Sequence, residues 1–328
     1  MTTRRKLLLA IGCGVVAWPL VPLAQRVAKP ARIALLRLAN LDSSKSYLEA
    51  FKAGLRELGY MEGTNLLLEL RFADGLAERL PVLAAELAKL EVDVIVATDT
   101  PSTRAAQQAT TTIPIVMVNI IDPIGSGFVT NLARPGRNVT GLSNMAGEVG
   151  PKQVELLVIM VPKLSRIAVL MNPVNSGHRS ILMSVQGAAN REKIKVLSVE
   201  AATPQRIESA FATMAQERVG AVIVANDAFF IQQHSQIAIL AIKHRIASIA
   251  GFRQFAEAGI LMSYGQDPAD FWRRSATYVH KILKGAKPGE LPVQQATNFQ
   301  LLINRTTAAA LGLTIPQELV LRADRVIE

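Results

Sequence analysis

Residues 92–99 read VDVIVATD, and residues 220–227 read GAVIVAND, so one chain contains nearly the same stretch twice. A second matched pair accompanies it, because RIALL at residues 32–36 returns as RIAVL at residues 166–170. The pairs keep the same order along the chain, at offsets of 128 and 134 residues. Two copies of so long a unit are atypical of a solenoid of short stacked repeats, and they predict two similar α/β lobes.

The internal repeat includes the segment between the matched stretches. Helical spacing precedes the second stretch in both copies, as RLPVLAAELAKLEV at residues 79–92 and as RIESAFATMAQERV at residues 206–219. Elsewhere, similar helical segments alternate with short β-branched runs, which are RIALLRL, VDVIVAT, IPIVMVN, RIAVLMN, AVIVAND and ILMSYG. Continuous apolar runs of this length are typical of parallel strands covered on both faces. The alternation predicts a doubly wound, Rossmann-like parallel sheet in each lobe.

The first 24 residues have the layout of an export signal. Arg4, Arg5 and Lys6 precede an uncharged run from Leu7 to Ala24, in which Pro19 and Pro22 interrupt the distal part. Such prolines and so short a run disfavour a membrane-spanning helix. We therefore expect cleavage near Ala24 and a periplasmic protein, with export by either the general or the twin-arginine route left open.

The only cysteine of the chain, Cys13, lies inside this apolar run. A lipid anchor at Cys13 is disfavoured because only a short apolar stretch precedes it. After cleavage the chain would contain no cysteine, which excludes disulfides and cysteine-based metal sites or nucleophiles.

The charge pattern does not indicate nucleic-acid binding. Removing the three basic residues of the signal lowers the formal net charge from +10 to +7, and the remaining basic residues are interspersed with acidic ones, as in KILKGAKPGE. A nucleic-acid surface would cluster Lys and Arg on one face, with aromatic residues among them. We expect a solvated, mildly basic surface.

A stretch rich in Gly, Asn and Pro, residues 133–150, separates the two copies and marks a domain boundary. The tail after Tyr264 has no counterpart in the first copy, so we expect it to cross between lobes again. The predicted first lobe comprises residues 30–143 with about 266–297, and the second comprises residues 144–265 with about 298–328.

Ligands of parallel sheets lie beyond the carboxyl ends of the strands, and two facing lobes place both sets of ends around one cleft. The residues at these ends are the candidates for ligand binding: Asn40, Ser43, Thr98, Thr100, Ser102 and Asn119 in the first lobe, and Asn172, Asn175, Asn226, Asp227, Phe229 and Tyr264 in the second. Each has a structural alternative, because Ser, Thr, Asp and Asn before a helix commonly cap it. Asp99 and Asp227 occupy equivalent repeat positions, which also fits a shared turn or cap.

These candidates suggest how a small zwitterion or carboxylate, such as an amino acid, would bind. Backbone N–H groups at the helix starting near Pro101, with Thr100 and Ser102, would hold a carboxylate. Asp227 would accept hydrogen bonds from an ammonium group, and Tyr264 or Phe229 would pack on the side chain.

Catalytic and cofactor motifs are scarce. The four histidines form no pair with metal-ligand spacing, and neither a G-x-S-x-G elbow nor a phosphate-binding loop with its lysine occurs. We therefore expect no metal and no cofactor. The remaining enzyme hypothesis is hydrolysis by paired acids, if the fold brings Asp99 and Asp227 together across the cleft.

Several segments resemble one family over about residues 32–328. They run from Ala50 to Met117 and continue as DPIGSGFVTNLARPGRNVTGL, IAGFRQFAEAGILMSYG and KILKGAKPGELPVQQATNFQLLIN. The chain is similar to substrate-binding proteins of ABC transporters, in the group that includes tryptophan- and tyrosine-type binders. The resemblance implies a type 1 periplasmic-binding fold, with two lobes joined by three crossings, that delivers a small solute to a membrane permease. Where this family has small residues, Asp99 adds a negative charge.

The leading hypothesis is thus a periplasmic solute-binding protein that closes on its ligand, is not an enzyme and has ABC permease subunits as partners. A periplasmic sensor for a receptor kinase and a hydrolase are the alternatives. A transcriptional regulator with the same lobes would need a helix-turn-helix ahead of Arg32, where an export-like segment stands instead.

Overall fold

The structure, a computed structural model, describes residues 29–295 and 298–328, with the side chains of 146–148 left out. The predicted signal, Cys13 and the cleavage site lie outside these residues. In the described part of the chain no helix is both long and apolar enough to cross a membrane.

Helices and strands alternate along the first part of the chain. Its elements are β1 (Ala31–Arg37), α1 (Lys45–Glu57), β2 (Leu66–Phe72), α2 (Leu80–Lys89), β3 (Val94–Ala97), α3 (Thr100–Ala109), β4 (Ile115–Ile120) and β5 (Val139–Ser143). The buried face of α1 includes Leu48, Phe51 and Leu55. Gly59 follows it with φ +86°, the left-handed conformation that ends a helix.

The same alternation continues in the second part, and the tail adds shorter elements. They are α4 (Ala146–Met160), β6 (Arg166–Met171), α5 (His178–Arg191), β7 (Lys195–Glu200), α6 (Pro204–Gln216), β8 (Ala221–Val224), α7 (Ala228–Gln232), α8 (His234–Lys243), β9 (Ala247–Ala250), α9 (Arg253–Glu257), β10 (Met262–Gly265), α10 (Pro268–Leu283), β11 (Gln294–Gln295), β12 (Gln300–Asn304), α11 (Arg305–Ala310), α12 (Gln317–Arg322) and β13 (Arg325–Ile327).

The strands form two sheets, and the predicted α/β fold of two doubly wound lobes is confirmed. The first sheet has the order β11-β5-β4-β3-β1-β2, and the second has β13-β12-β10-β9-β8-β6-β7. All pairings are parallel except β10 with β12. The duplicated stretches occupy equivalent places, since β3 pairs with β1 in one sheet and β8 pairs with β6 in the other.

The six β-branched runs correspond to β1, β3, β4, β6, β8 and β10, and this pattern did not predict the other strands, among them β2 and β7. β2 and β7 lie at the edges of their sheets, and most of their side chains are only partly buried or exposed. The continuous apolar pattern marks a strand covered on both faces, so an edge strand escapes it.

The chain passes between the sheets after β5, after β10 and after β11. On its way, α10 packs on α1 and against β4 and β5 of the first sheet. Trp272 and Phe271 of α10 are buried there. The segment after Tyr264 thus places side chains of α10 in the first lobe.

Candidate functional site

The carboxyl ends of strands from both sheets surround one cavity. It holds about 410 Å³ of space free of protein atoms, its open mouth included. Its lining comes from the first lobe, the second lobe and α10: Arg37, Tyr47, Thr98, Asp99, Thr100, Asn119, Ile121, Asn175, Asn226, Asp227, Ala228, Ile231, Phe252, Pro268 and Trp272. The lining combines charged, amide and hydroxyl groups with apolar and aromatic side chains.

Arg37 is the cationic group of the cavity. It is the last residue of β1 and is only 2% exposed. Its Nη1 donates to Thr98 Oγ1 at 3.3 Å, and its Cζ lies 5.6 Å from the ring centre of Tyr47 and 5.2 Å from that of Trp272. Burial lowers the pKa of Arg37, and attraction to Asp99, Tyr47 and Asp227 opposes this. Arginine stays protonated through such shifts, so the cavity contains a fixed positive charge.

Asp99 caps α3 and accepts a hydrogen bond from the backbone directly after β1. Its Oδ1 accepts from the Ser102 N–H at 2.8 Å, and its Oδ2 accepts from the Leu38 N–H at 2.9 Å. Burial raises the pKa of Asp99, while Arg37 and these hydrogen bonds lower it. Because Asp99 occupies the Ser102 donor, the start of α3 has fewer free N–H groups for an anion than its sequence suggests.

Asp227 is the centre of a buried amide network. Its Oδ1 accepts from Asn172 Nδ2 at 3.0 Å and from the Phe229 N–H at 2.9 Å. Its Oδ2 accepts from Asn175 Nδ2 at 2.8 Å. The two carboxylates at equivalent repeat positions thus share the role of helix cap, and Asp227 still faces the cavity.

His178 lies next to this network and contacts the backbone of Asn172 and Asn226. Its Nδ1 accepts from the Asn172 N–H at 2.9 Å, and its Nε2 lies 3.0 Å from the Asn226 carbonyl oxygen. These partners assign the proton of the neutral imidazole to Nε2. Burial lowers the pKa of His178 in spite of Asp227, whose Oδ2 lies 3.7 Å away. A neutral His178 therefore orients Asn172 and Asn226.

The structure brings part of the predicted set together. The candidates that line the cavity are Thr98, Thr100, Asn119, Asn175, Asn226 and Asp227. Gly251 makes room for Asn226, since a Cβ at Gly251 would lie 1.9 Å from Asn226 Oδ1.

The other candidates do not line the cavity and have structural contacts instead. Asn40 and Ser43 form the turn before α1, where Asn40 Oδ1 accepts from the Ser43 N–H at 3.0 Å. Ser102 and Asn172 are donors to the two carboxylates.

Neither of the predicted aromatic contacts lines the cavity. Tyr264 stacks on Phe299 with ring centres 5.7 Å apart. Phe229 lies beside Gly75 of the first lobe, and a Cβ at Gly75 would be 3.4 Å from its ring. Its neighbour Phe230 is fully buried and stacks on His178.

Sequence reasoning missed Arg37, which gives the cavity its positive charge, and Tyr47 and Trp272, which contribute two of its rings. Arg37 had a signal, because it is a charged residue inside the otherwise apolar run RIALLRL. Tyr47 and Trp272 had none, since both read as buried helix positions. Among residues 29–295 and 298–328, no cluster of three or more His, Cys, Asp and Glu is placed to hold a metal ion.

Comparison with known proteins places this site in context. The sequence profile of a family described as ABC transporter substrate binding protein matches residues 32–327. A Vibrio cholerae conserved domain protein of known structure is 30% identical, with a TM-score of 0.86 over 91% of this chain and all of that one. A Streptococcus pneumoniae ABC domain in complex with L-Trp is 24% identical, with a TM-score of 0.84 over 91% of this chain and all of that one. A tyrosine-binding protein of Clostridioides difficile is 25% identical over 85% of this chain and 79% of its own length.

Proposed function

We propose that this chain, which belongs to the ABC transporter substrate-binding protein family, captures a small solute between its lobes and delivers it to a membrane permease. The observation that carries the proposal is the cavity lined by both lobes and by α10. A solute that touches both lobes stabilises their closed arrangement by its differential affinity for it.

The lobes in this proposal are residues 30–143 with about 266–297 and residues 144–265 with about 298–328. The sheet to which each strand belongs supports this division. The chain crosses between the two sheets after β5, β10 and β11, and we propose that these crossings are the hinge.

The proposed solute is an amino acid with an aromatic or branched side chain. Similar proteins are described as binding tyrosine or L-Trp. In this chain, the buried carboxylate of Asp227 would accept from the solute's ammonium group, and Phe252, Ile121 and Ile231 offer an apolar wall.

The hydrolase alternative is less well supported by the geometry. Both Asp99 and Asp227 face the cavity, but their oxygens already accept hydrogen bonds from backbone or amide donors. A catalytic acid or base must exchange a proton with the substrate, and these carboxylate oxygens are engaged by donors of the protein instead.

Release and identification of the retained solute is the direct test. Purified protein is denatured, the extract is analysed by mass spectrometry, and binding of the identified compound is measured by calorimetry. We expect an amino acid that is recovered unchanged after incubation with the protein, whereas turnover of the bound compound would support the hydrolase. Adjacent permease and ATPase genes would support transport, and an adjacent receptor kinase gene would support the sensor alternative.

A further inference from the structure

One edge of the Arg37 guanidinium has no protein partner. Nη1 is held by Thr98, but Nε and Nη2 are buried and meet no hydrogen-bond acceptor among the residues that the structure describes. The hydroxyl of Tyr47, whose ring lies beside the guanidinium, is buried without a partner in the same sense. Buried donors are nearly always paired in folded proteins, so such a group points to a ligand.

The two unpaired nitrogens are adjacent in the guanidinium plane. Nε–H and Nη2–H point in nearly the same direction and form a fork that matches the two oxygens of a carboxylate. The chain contains an example of this edge in use, since Nε and Nη2 of Arg32 both donate to Glu69 Oε1, at 3.2 and 2.8 Å. Arg37 belongs to the lining of the cavity rather than to the surface.

The orientation of the fork is fixed before any ligand arrives. The bond from Nη1 to Thr98 holds one side, and the rings of Tyr47 and Trp272 lie against the guanidinium. Those two rings are themselves stacked, with centres 5.8 Å apart. A pre-organised fork loses little conformational entropy on binding, which favours a planar, bidentate partner.

The charges of the cavity favour a monoanionic group. Asp99 and Asp227 also line it, so a dianion such as phosphate would meet two carboxylates against one cation. A carboxylate beside an ammonium group would place the negative charge of the solute at Arg37 and its positive charge at Asp227.

We propose that Nε and Nη2 of Arg37 bind the carboxylate of the solute in bidentate fashion, with the Tyr47 hydroxyl as an additional donor. This inference rests on the proposed function and assigns the carboxylate to Arg37 instead of the first turn of α3. It makes Arg37 the residue that selects acids over amines.

The test uses a matched set of compounds: L-tryptophan, indole-3-propionate without the ammonium group and tryptamine without the carboxylate. The L-tyrosine series is measured alongside. For wild type we expect the acid to bind more tightly than the amine. Arg37→Gln should weaken binding of the amino acid and the acid at least tenfold and change amine binding much less.

The controls separate recognition from folding. Arg37→Lys keeps a positive charge but lacks the fork, so it should also lose affinity for the acid. Arg32→Gln, on the same strand but outside the cavity, should bind all compounds as wild type does. Circular dichroism and thermal unfolding of each variant check the fold. Tyr47→Phe, which removes only the hydroxyl, should weaken binding of the acid and amino acid without affecting the amine.

The outcomes are distinct. If a folded Arg37→Gln protein binds the acid as tightly as wild type, the assignment to Arg37 is overturned. If wild type binds no aromatic amino acid, that solute class fails, and the Arg37 assignment is judged on the solute retained during purification. If no solute is retained, a thermal-shift screen of carboxylate compounds supplies the test compound instead. A retained or stabilising carboxylate that Arg37→Gln no longer binds supports the assignment, and a solute without a carboxylate or a screen without a hit overturns it.

Discussion

Gly177 and Ile121 lie against each other although they follow strands of different sheets: a Cβ added at Gly177 would be 2.6 Å from the Cβ of Ile121. Nearby, the hydroxyl oxygens of Ser126 and Ser176 are 3.1 Å apart. The loop after β4 and the start of α5 therefore touch directly, and this contact joins the two lobes beside the cavity.

Gly177→Ala should weaken ligand binding about tenfold, because the added methyl group would overpack the contact with Ile121, at a cost of roughly 1 to 3 kcal/mol. This cost arises only when the lobes touch. Calorimetry with the identified solute measures the effect. Gly187→Ala in the same helix, where nothing lies within 4 Å of the new Cβ, is the matched control and should bind normally. Equal affinities for both variants would show that this contact does not belong to the ligand-bound state.

Solution scattering tests the closure itself. A saturating, verified ligand should make the protein more compact, since the solute would bridge the lobes and the proposed hinge crossings would let them close. Gly177→Ala should require more ligand to reach the compact form. Profiles that stay the same with and without ligand would count against closure.

Asp227→Asn should lower amino-acid affinity by about 1.5 to 3 kcal/mol, the range for a hydrogen bond to a charged group, which is tenfold or more. Binding of the deaminated acid should change less, because it lacks the ammonium group. Asp93→Asn is the control, since Asp93 is exposed and precedes β3 at the opposite end of the sheet. Unchanged amino-acid affinity would remove Asp227 from the site.

Asp99→Ala should lower the free energy of unfolding by about 1 to 3 kcal/mol, because it removes a helix cap and leaves the buried Leu38 N–H unpaired. Denaturant unfolding measures this. Thr203→Ala removes the exposed cap of α6 and no second bond, so its effect should be smaller. Equal losses in the two variants would mean that the bond to Leu38 contributes nothing.

His178 should make stability depend on pH. Its pKa lies below the ordinary value of 6.5, so the unfolded chain takes up a proton first as the pH falls. The contribution of His178 is fully present above the ordinary pKa and is lost as the pH drops through it towards the folded value. Denaturant unfolding between about pH 5 and 8 should show wild type losing more stability than His178→Gln. His234 acts in the same direction, so the variant should keep part of the slope. Parallel profiles would contradict this role of His178.

N-terminal sequencing of exported protein should find a chain that begins near Gln25 and contains no cysteine, because the basic and apolar stretches end at Ala24. Thiol titration of the same sample checks the loss of Cys13. Retention of Met1 in a cytoplasmic protein would contradict export.

The sequence pattern was sufficient to predict the two sheets because β1 and β3 in one sheet and β6 and β8 in the other are continuous apolar runs and are duplicated. It also located Thr98, Asn226 and Asp227, since strand ends of parallel sheets meet in one place. It could not locate Tyr47 or Trp272, because a helix position that faces a cavity and one that faces the core have the same periodicity. Trp272 reaches the cavity only because α10 returns to the first lobe, a long-range placement that no local pattern encodes.

The path of α10 has a consequence for the order of synthesis. The core of the first lobe includes Phe271, Trp272 and Val279, which the ribosome adds only after the whole central part of the second lobe. An emerging chain that ends before α10 leaves the matching face of α1 uncovered, so the first lobe cannot complete its core until α10 has been synthesised. For export by the general route, in which the chain crosses the membrane unfolded, such a delay would be an advantage.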